Sequence, residues 1–155
     1  MKNINENLYK LKIELLKKCV KELPYMRVQV SGNSMEPTIC DGEIINIKPV
    51  KDIKIKDILW FVDDYGKMAL HRVIELQDEK VILVGDNAEK KDQILRSQIL
   101  GKAALNEKIN DIKETVCIAA ENDGVRLEAH IVQGKLDKIQ IMKGSGQNGS
   151  LYDRN

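Results

Sequence analysis

Ser31-Gly32-Asn33-Ser34-Met35-Glu36-Pro37-Thr38 interrupts one alternating segment and runs into another, Gly42-Glu43-Ile44-Ile45-Asn46-Ile47. Gly32 lets the backbone bend sharply, because a residue without Cβ enters conformations closed to others. Pro37 fixes its own φ and removes a donor, which stiffens the segment. Ser34 therefore sits in a rigid turn between two strands. Local chemistry leaves two readings open. The stretch is a polar loop, or it presents Ser34 as a nucleophile, with the Ser34 amide facing the carbonyl that its oxygen attacks.

Outward from that turn, a period of two predicts strands. Arg27-Val28-Gln29-Val30 precedes it. Glu43 to Lys48 follows, and a charged connection over Lys51 to Lys56 leads to Asp57-Ile58-Leu59-Trp60-Phe61-Val62, apolar enough to be buried on both faces. Asp63-Asp64-Tyr65-Gly66 is a hairpin turn. Met68 to Leu76 returns and carries His71-Arg72, and Lys80 to Val84 follows and ends at Gly85-Asp86-Asn87. Lys90 to Gln98 reads as a polar loop or short helical turn, and Ile99 to Leu105 as a further strand. Beyond these, Val116 to Ala120, the alternation from Val125 to Val132 and a short strand at Ile139 and Ile141 predict a small meander. Asn122-Asp123-Gly124 marks a turn within it.

At the N-terminus, Leu8, Leu11, Leu15, Cys19 and Leu23 recur at helical steps, with Leu16 and Val20 widening the stripe. An amphipathic helix over residues 4–23 is expected, capped by Asn3 or Asn5 and stopped by Pro24. It packs on the domain, or its basic side meets a membrane surface or a partner protein. The expected organisation is a helix over 1–25, a catalytic β domain over 26–105, a β extension over 106–143 and a flexible tail over 144–155. The fold class is mainly β. The abrupt polar end is also compatible with a fragment of a longer protein.

Bulk composition narrows the function. The 155 residues carry 25 Lys and Arg against 24 Asp and Glu, a balance that gives no case for nucleic acid as a partner. One Trp and one Phe argue against a base-stacking platform. Cys19, Cys40 and Cys117 lack C-x-x-C spacing, which argues against a disulfide framework and a zinc site and for reduced core residues in a cytoplasmic setting. No metal or other cofactor is expected. No stretch reads as a signal peptide or a membrane span.

A serine needs a base and an oriented partner for that base. His71 is the natural proton acceptor near neutral pH. Lys67 is a rival that works only if desolvated. Asp86 and Asp92 are each able to orient the imidazole. His130, the other histidine, stands in no motif and reads as structural.

Gly32-Asn33-Ser34-Met35-Glu36-Pro37-Thr38, Gly42-Glu43, Asp57-Ile58 with Phe61, His71-Arg72-Val73, Gly85-Asp86-Asn87 and Asp92 occur in the order seen in type I signal peptidases. The resemblance spans roughly residues 26 to 105. It implies the β-rich fold shared with LexA-type self-cleaving repressors. Most bacterial members pair serine with a lysine placed directly before an arginine. His71 at that place resembles the endoplasmic-reticulum and archaeal type. The resemblance implies Ser34 as nucleophile, His71 as general base, and Asp86 and Asp92 as supporting acids, acting on a peptide or preprotein substrate. Glu43 stands where the family has Asp, and Lys56 where it has Gly. Signal peptidases are membrane-anchored, and no anchor is legible here. Two further readings are self-cleavage of the LexA type and a catalytically silent binding module. Against self-cleavage, neither Ala-Gly nor Cys-Gly precedes Ser34.

Overall fold

The computed structural model describes residues 4–23, 26–105, 115–122, 124–143 and 148–153. The described chain is mainly β with one α-helix, as the periodicity predicts. It divides into two compact units, Val28–Glu107 and a second one formed by Met1–Arg27 with Lys108–Asn155.

In the unit Val28–Glu107, strands β2 (Ile44–Lys48), β3 (Ile58–Val62), β4 (Met68–Leu76), β5 (Lys80–Val84), β6 (Lys91–Leu95) and β7 (Ile99–Ala103) form an antiparallel array. Its order is β2-β7-β3-β4-β5-β6. All five residues of β3 are buried, as its unbroken apolar run requires. Leu59, Phe61, Val73, Val81, Leu83, Ile94 and Ile99 make the core on one face. Each such side chain contributes roughly 1.5–3 kcal/mol by leaving water.

The register places the polar residues. Paired residues of neighbouring strands share a face, and adjacent residues of one strand take opposite faces. Leu59 pairs with His71, and Ile58 with Arg72. Val73 pairs with Leu83, and Leu83 with Asp92. His71 and Asp92 therefore stand on the core side, whereas Arg72, opposite Val84, points to the other side.

The segment Lys90–Gln98, expected as a polar loop or short helical turn, holds a strand as well as a helical turn. It forms β6 and a short 3-10 turn, Arg96–Gln98. Only Ile94 in β6 is fully buried, with Asp92 partly so, because a charged edge strand shows little apolar alternation.

In the other unit, α1 (Ile4–Glu22) buries Leu11, Leu15, Leu16, Cys19 and Val20 of the expected stripe, and Leu8 and Leu23 at its ends are half-buried. Its neighbours are β8 (Thr115–Asn122) and β9 (Val125–Val132), and Lys18 Nζ donates to the Ala119 carbonyl at 3.0 Å. Strand β10 (Lys135–Lys143) pairs with β9 and with β11 (Asn148–Asp153). Strand β1 (Met26–Gln29) crosses from this unit into the first, and its Arg27 pairs in parallel with Lys135. Of the expected tail over 144–155, residues 148–153 are β11, and residues 144–147 and 154–155 lie outside the described residues. So do Asn3, Pro24 and Asp123 and the span 106–114.

The cysteines also differ from expectation. Cys19 is buried, whereas Cys40 and Cys117 are exposed. Cys40 lies in the turn after Ile39, and Cys117 alternates with the buried Ile118, so neither reaches a core. Among the described residues, no helix is long and apolar enough to cross a membrane.

Candidate active site

The Ser34 turn is built on two buried anchors. Met35 and Ile39 are 1% and 0% exposed, and the Ile39 amide donates to the Met35 carbonyl at 2.9 Å, one helical turn that buries both side chains. Gly32 adopts φ +96°, a region that favours glycine, and its amide donates to Asp41 Oδ1 at 2.8 Å. Two bonds of Val30 at 2.8 Å, its amide to the Glu43 carbonyl and its carbonyl from the Gly42 amide, close the loop at its base. Glu43 uses its longer side chain to accept from the Cys40 amide at 3.0 Å.

His71 Nε2 lies 3.2 Å from Ser34 Oγ. The other ring nitrogen, Nδ1, is held by Asp92 Oδ2 in a short hydrogen bond. A carboxylate accepts, so Nδ1 carries the proton and Nε2 presents its lone pair to the serine hydroxyl. The His71 and Asp92 side chains are 14% and 25% exposed, so water competes only partly for their bond. Phe61 packs a tilted ring against the imidazole, centroids 5.7 Å apart, which limits the ring's freedom. Among the described residues, no acceptor takes the Ser34 amide hydrogen.

Asp86 is placed elsewhere. Its Oδ1 and Oδ2 each accept from Arg72, Nε and Nη2, at 2.8 Å, and Oδ2 also accepts from Thr38 Oγ1 at 2.5 Å. Arg72 Nη1 continues to the Lys56 carbonyl at 2.9 Å. These bonds tie β4 to the serine turn. Arg72's hydrogen bonds hold the Asp86 carboxyl below its ordinary range, against the opposing effect of burial, with Thr38 adding to Arg72's effect. Asp86 in return raises Arg72.

Gly85 and Asn87 complete the strap. The Asn87 amide donates to the Ser34 carbonyl at 2.8 Å, and its side-chain Nδ2 to the Asn33 carbonyl at 3.1 Å. A Cβ on Gly85 would stand 2.5 Å from the Ser34 carbonyl oxygen, so only glycine admits this approach. Of the four residues singled out from sequence, Ser34, His71 and Asp92 come together, and Asp86 joins Arg72 and Thr38 instead. Arg72, Thr38, Gly85 and Asn87 were visible as parts of motifs, but their tasks required the contacts. Lys67 is exposed in the β3–β4 hairpin, four residues from His71, about 13 Å along a strand.

Arranged this way, a hydroxyl, an imidazole and a partly buried carboxylate have the geometry of the relay that proton abstraction from serine requires. Among curated proteins and among solved structures, no match to the chain is found. The model of one protein family, described as Peptidase S24-like, matches residues 2–104, which include Ser34, His71, Asp86 and Asp92. That match covers most of the chain and agrees with its β-rich fold, and the chain belongs to the Peptidase S24-like family.

Proposed function

We propose that this chain is a serine endopeptidase in which Ser34 is the nucleophile, His71 the general base and Asp92 the residue that orients His71. The observation that carries the reading is the chain of bonds from Ser34 Oγ through both ring nitrogens to Asp92. Ser34 Oγ attacks a peptide carbonyl as His71 Nε2 takes its proton. The imidazolium, stabilised by Asp92, returns that proton to the leaving amine, and an acyl-enzyme remains. Water then enters, gives its proton to Nε2, and releases the acid and the free serine. The Ser34 amide is a donor for the oxyanion in both steps. Asp86 supports the site at one remove, through Arg72 and Thr38.

The finer reading is a signal-peptidase-like enzyme of the serine–histidine kind. Its substrate is an extended leader or signal-type peptide with small residues before the cut, bound by strand addition. The test is cleavage of a peptide library with labelling by a fluorophosphonate. Wild type should cut and label stoichiometrically, and Ser34→Ala should do neither. Cleavage by Ser34→Ala equal to wild type would remove the assignment.

Family membership favours one second reading, self-cleavage as in LexA-type proteins, which share the fold. Incubation of the purified chain at raised pH distinguishes it. A discrete fragment absent from Ser34→Ala supports self-cleavage, and an intact mass supports action on other chains.

A further inference from the structure

Among the described residues outside the serine site, a cluster of side chains on β8 and β9 has no assigned task. Strands β8 and β9 pair Cys117 with His130 and Ala119 with Glu128. Residues 128 and 130 are two apart, so Cys117, Glu128 and His130 share one face of the hairpin. The opposite face carries Ile118, Leu127, Ala129 and Ile131, all buried. The donor atoms converge. Cys117 Sγ lies 3.5 Å from Glu128 Oε2, His130 Nε2 lies 3.8 Å from the same oxygen, and all lie within 4.8 Å of one another.

We infer that Cys117, Glu128 and His130 form a binding site for a borderline-soft divalent transition metal, with Zn²⁺ the best fit. Tetrahedral zinc with bonds of about 2.0–2.3 Å separates its ligand atoms by about 3.3–3.7 Å. Two of the three separations already approach that, and the third, from sulfur to nitrogen, is within 4.8 Å. Thiolate and imidazole together exclude the hard cations Mg²⁺ and Ca²⁺, which take oxygen ligands.

Two further features support the site. His130 Nε2 is shielded from solvent and has no hydrogen-bond partner. A buried polar nitrogen left unpaired costs about 1–3 kcal/mol, and a metal bond would satisfy it. Arg126 Nε holds the other Glu128 oxygen, Oε1, at 2.9 Å and leaves Oε2 turned toward the sulfur and the nitrogen. That is the orienting contact ligating carboxylates ordinarily have.

The Cys117 thiol donates to Glu128 Oε2 before metal arrives. On binding, its proton passes to solvent and the metal takes its place between sulfur and oxygen. Thiolate and carboxylate then balance the dication. Three protein ligands leave a fourth position for water. Cys117 is exposed, which gives the ion a way in.

The test is calorimetric titration of the full reduced chain with Zn²⁺, with Co²⁺ as an optical probe of thiolate ligation. One ion per chain is expected, with a thiolate-to-cobalt charge-transfer band. Cys117→Ser and His130→Gln should each weaken binding at least about tenfold, and Cys40→Ser should leave it unchanged. If either ligand variant is misfolded by circular dichroism, the wild-type chain decides: Zn²⁺ should slow modification of Cys117 by a thiol reagent and not that of Cys40. Absence of stoichiometric binding would overturn the site. So would binding unaffected by both ligand variants, or equal protection of Cys40 and Cys117.

Discussion

Gly85→Ala tests whether the serine is positioned by the close approach of two backbones. The new Cβ would meet the Ser34 carbonyl oxygen at 2.5 Å and both the Ser34 carbonyl carbon and the Ala88 Cβ at 3.2 Å. Ordinary contact begins near 3.4 Å, so one backbone must retreat by roughly 0.9 Å. The Asn87 amide bond to the same oxygen, 2.8 Å long, would be strained or lost with it. Overpacking of this kind costs about 1–3 kcal/mol, and the lost bond about 1 kcal/mol more. If the serine side yields, the 3.2 Å separation between Ser34 Oγ and His71 Nε2 opens to about 4 Å, beyond hydrogen-bond reach. A misplacement of about 1 Å lowers catalysis on the order of a hundredfold. The assays are kcat/KM on a cleaved peptide, the rate of fluorophosphonate labelling, and urea unfolding. The variant should unfold at lower urea, remain folded in buffer, and label about a hundred times more slowly. Labelling within about twofold of wild type, at an unchanged urea midpoint, would refute the reasoning.

Asp92→Asn should keep the fold and lower turnover about ten-thousandfold, because an amide no longer enforces the tautomer that leaves Nε2 unprotonated; peptide cleavage beside circular dichroism measures both. Asp86→Asn reports on the Arg72 clamp through pH. The Asp86 carboxyl titrates below its ordinary 3.8 when folded, so its stabilisation is complete above that value and is lost as pH falls through the folded one. The wild type's advantage over Asp86→Asn, about 2 kcal/mol at pH 6, should shrink below pH 4 in urea midpoints taken across the acid range. Lys56 adopts φ 80°, which costs a residue with a Cβ about 1–2 kcal/mol. Lys56→Gly should therefore be neutral or slightly stabilising, within about 1 kcal/mol of wild type because glycine costs more chain entropy, whereas the β-branched Lys56→Val should destabilise by at least about 1 kcal/mol in the same assay.

The strands nearest the serine were legible because their apolar residues recur every second position, and β3 because all five of its residues are apolar. Ser34 and His71 were legible from residue chemistry and order. The choice between Asp86 and Asp92 was not, because it depends on register. A one-residue change in pairing moves a carboxylate to the other face, and the register of β4 with β5 contains an irregularity between Val73 and Glu75. Asp92 was further hidden in Lys91-Asp92-Gln93-Ile94-Leu95, an edge strand with one fully buried residue and the composition of a loop. The Cys117, Glu128 and His130 cluster escaped for a related reason. Its ligands are assembled by pairing across a hairpin, not by a short spacing along the chain. The grouping of α1 with residues beyond 107 depends on contacts such as Lys18 to Ala119, between positions a hundred residues apart, for which no local pattern exists.

In the proposed mechanism, the position of Asp92 explains why a histidine suits the place before Arg72 better than a lysine would. A lysine acts as a base near neutral pH only when its surroundings disfavour its charge. A carboxylate in contact with it does the reverse and holds it protonated. For an imidazole the same carboxylate is an advantage, since it selects the Nδ1 proton, aims Nε2 at Ser34 and would stabilise the cation formed in the proposed reaction. The two requirements are opposed, so the residue beside Arg72 and the residue on β6 are chosen together. Placing the acid there also has a geometric condition. His71 and Asp92 stand on β4 and β6 with β5 between them, about 9.6 Å from strand to strand. Asp92 pairs with Leu83 of β5, and His71 precedes Arg72, the partner of Val84, so it stands level with Gly85; the two side chains meet on the core side at this end of β5. The absent side chain at Gly85 lets the Ser34 backbone come down to the same place. One glycine thus admits the serine turn beside the pair that the register of β4, β5 and β6 brings together, and the identity of the proposed base follows from the acid that this register supplies.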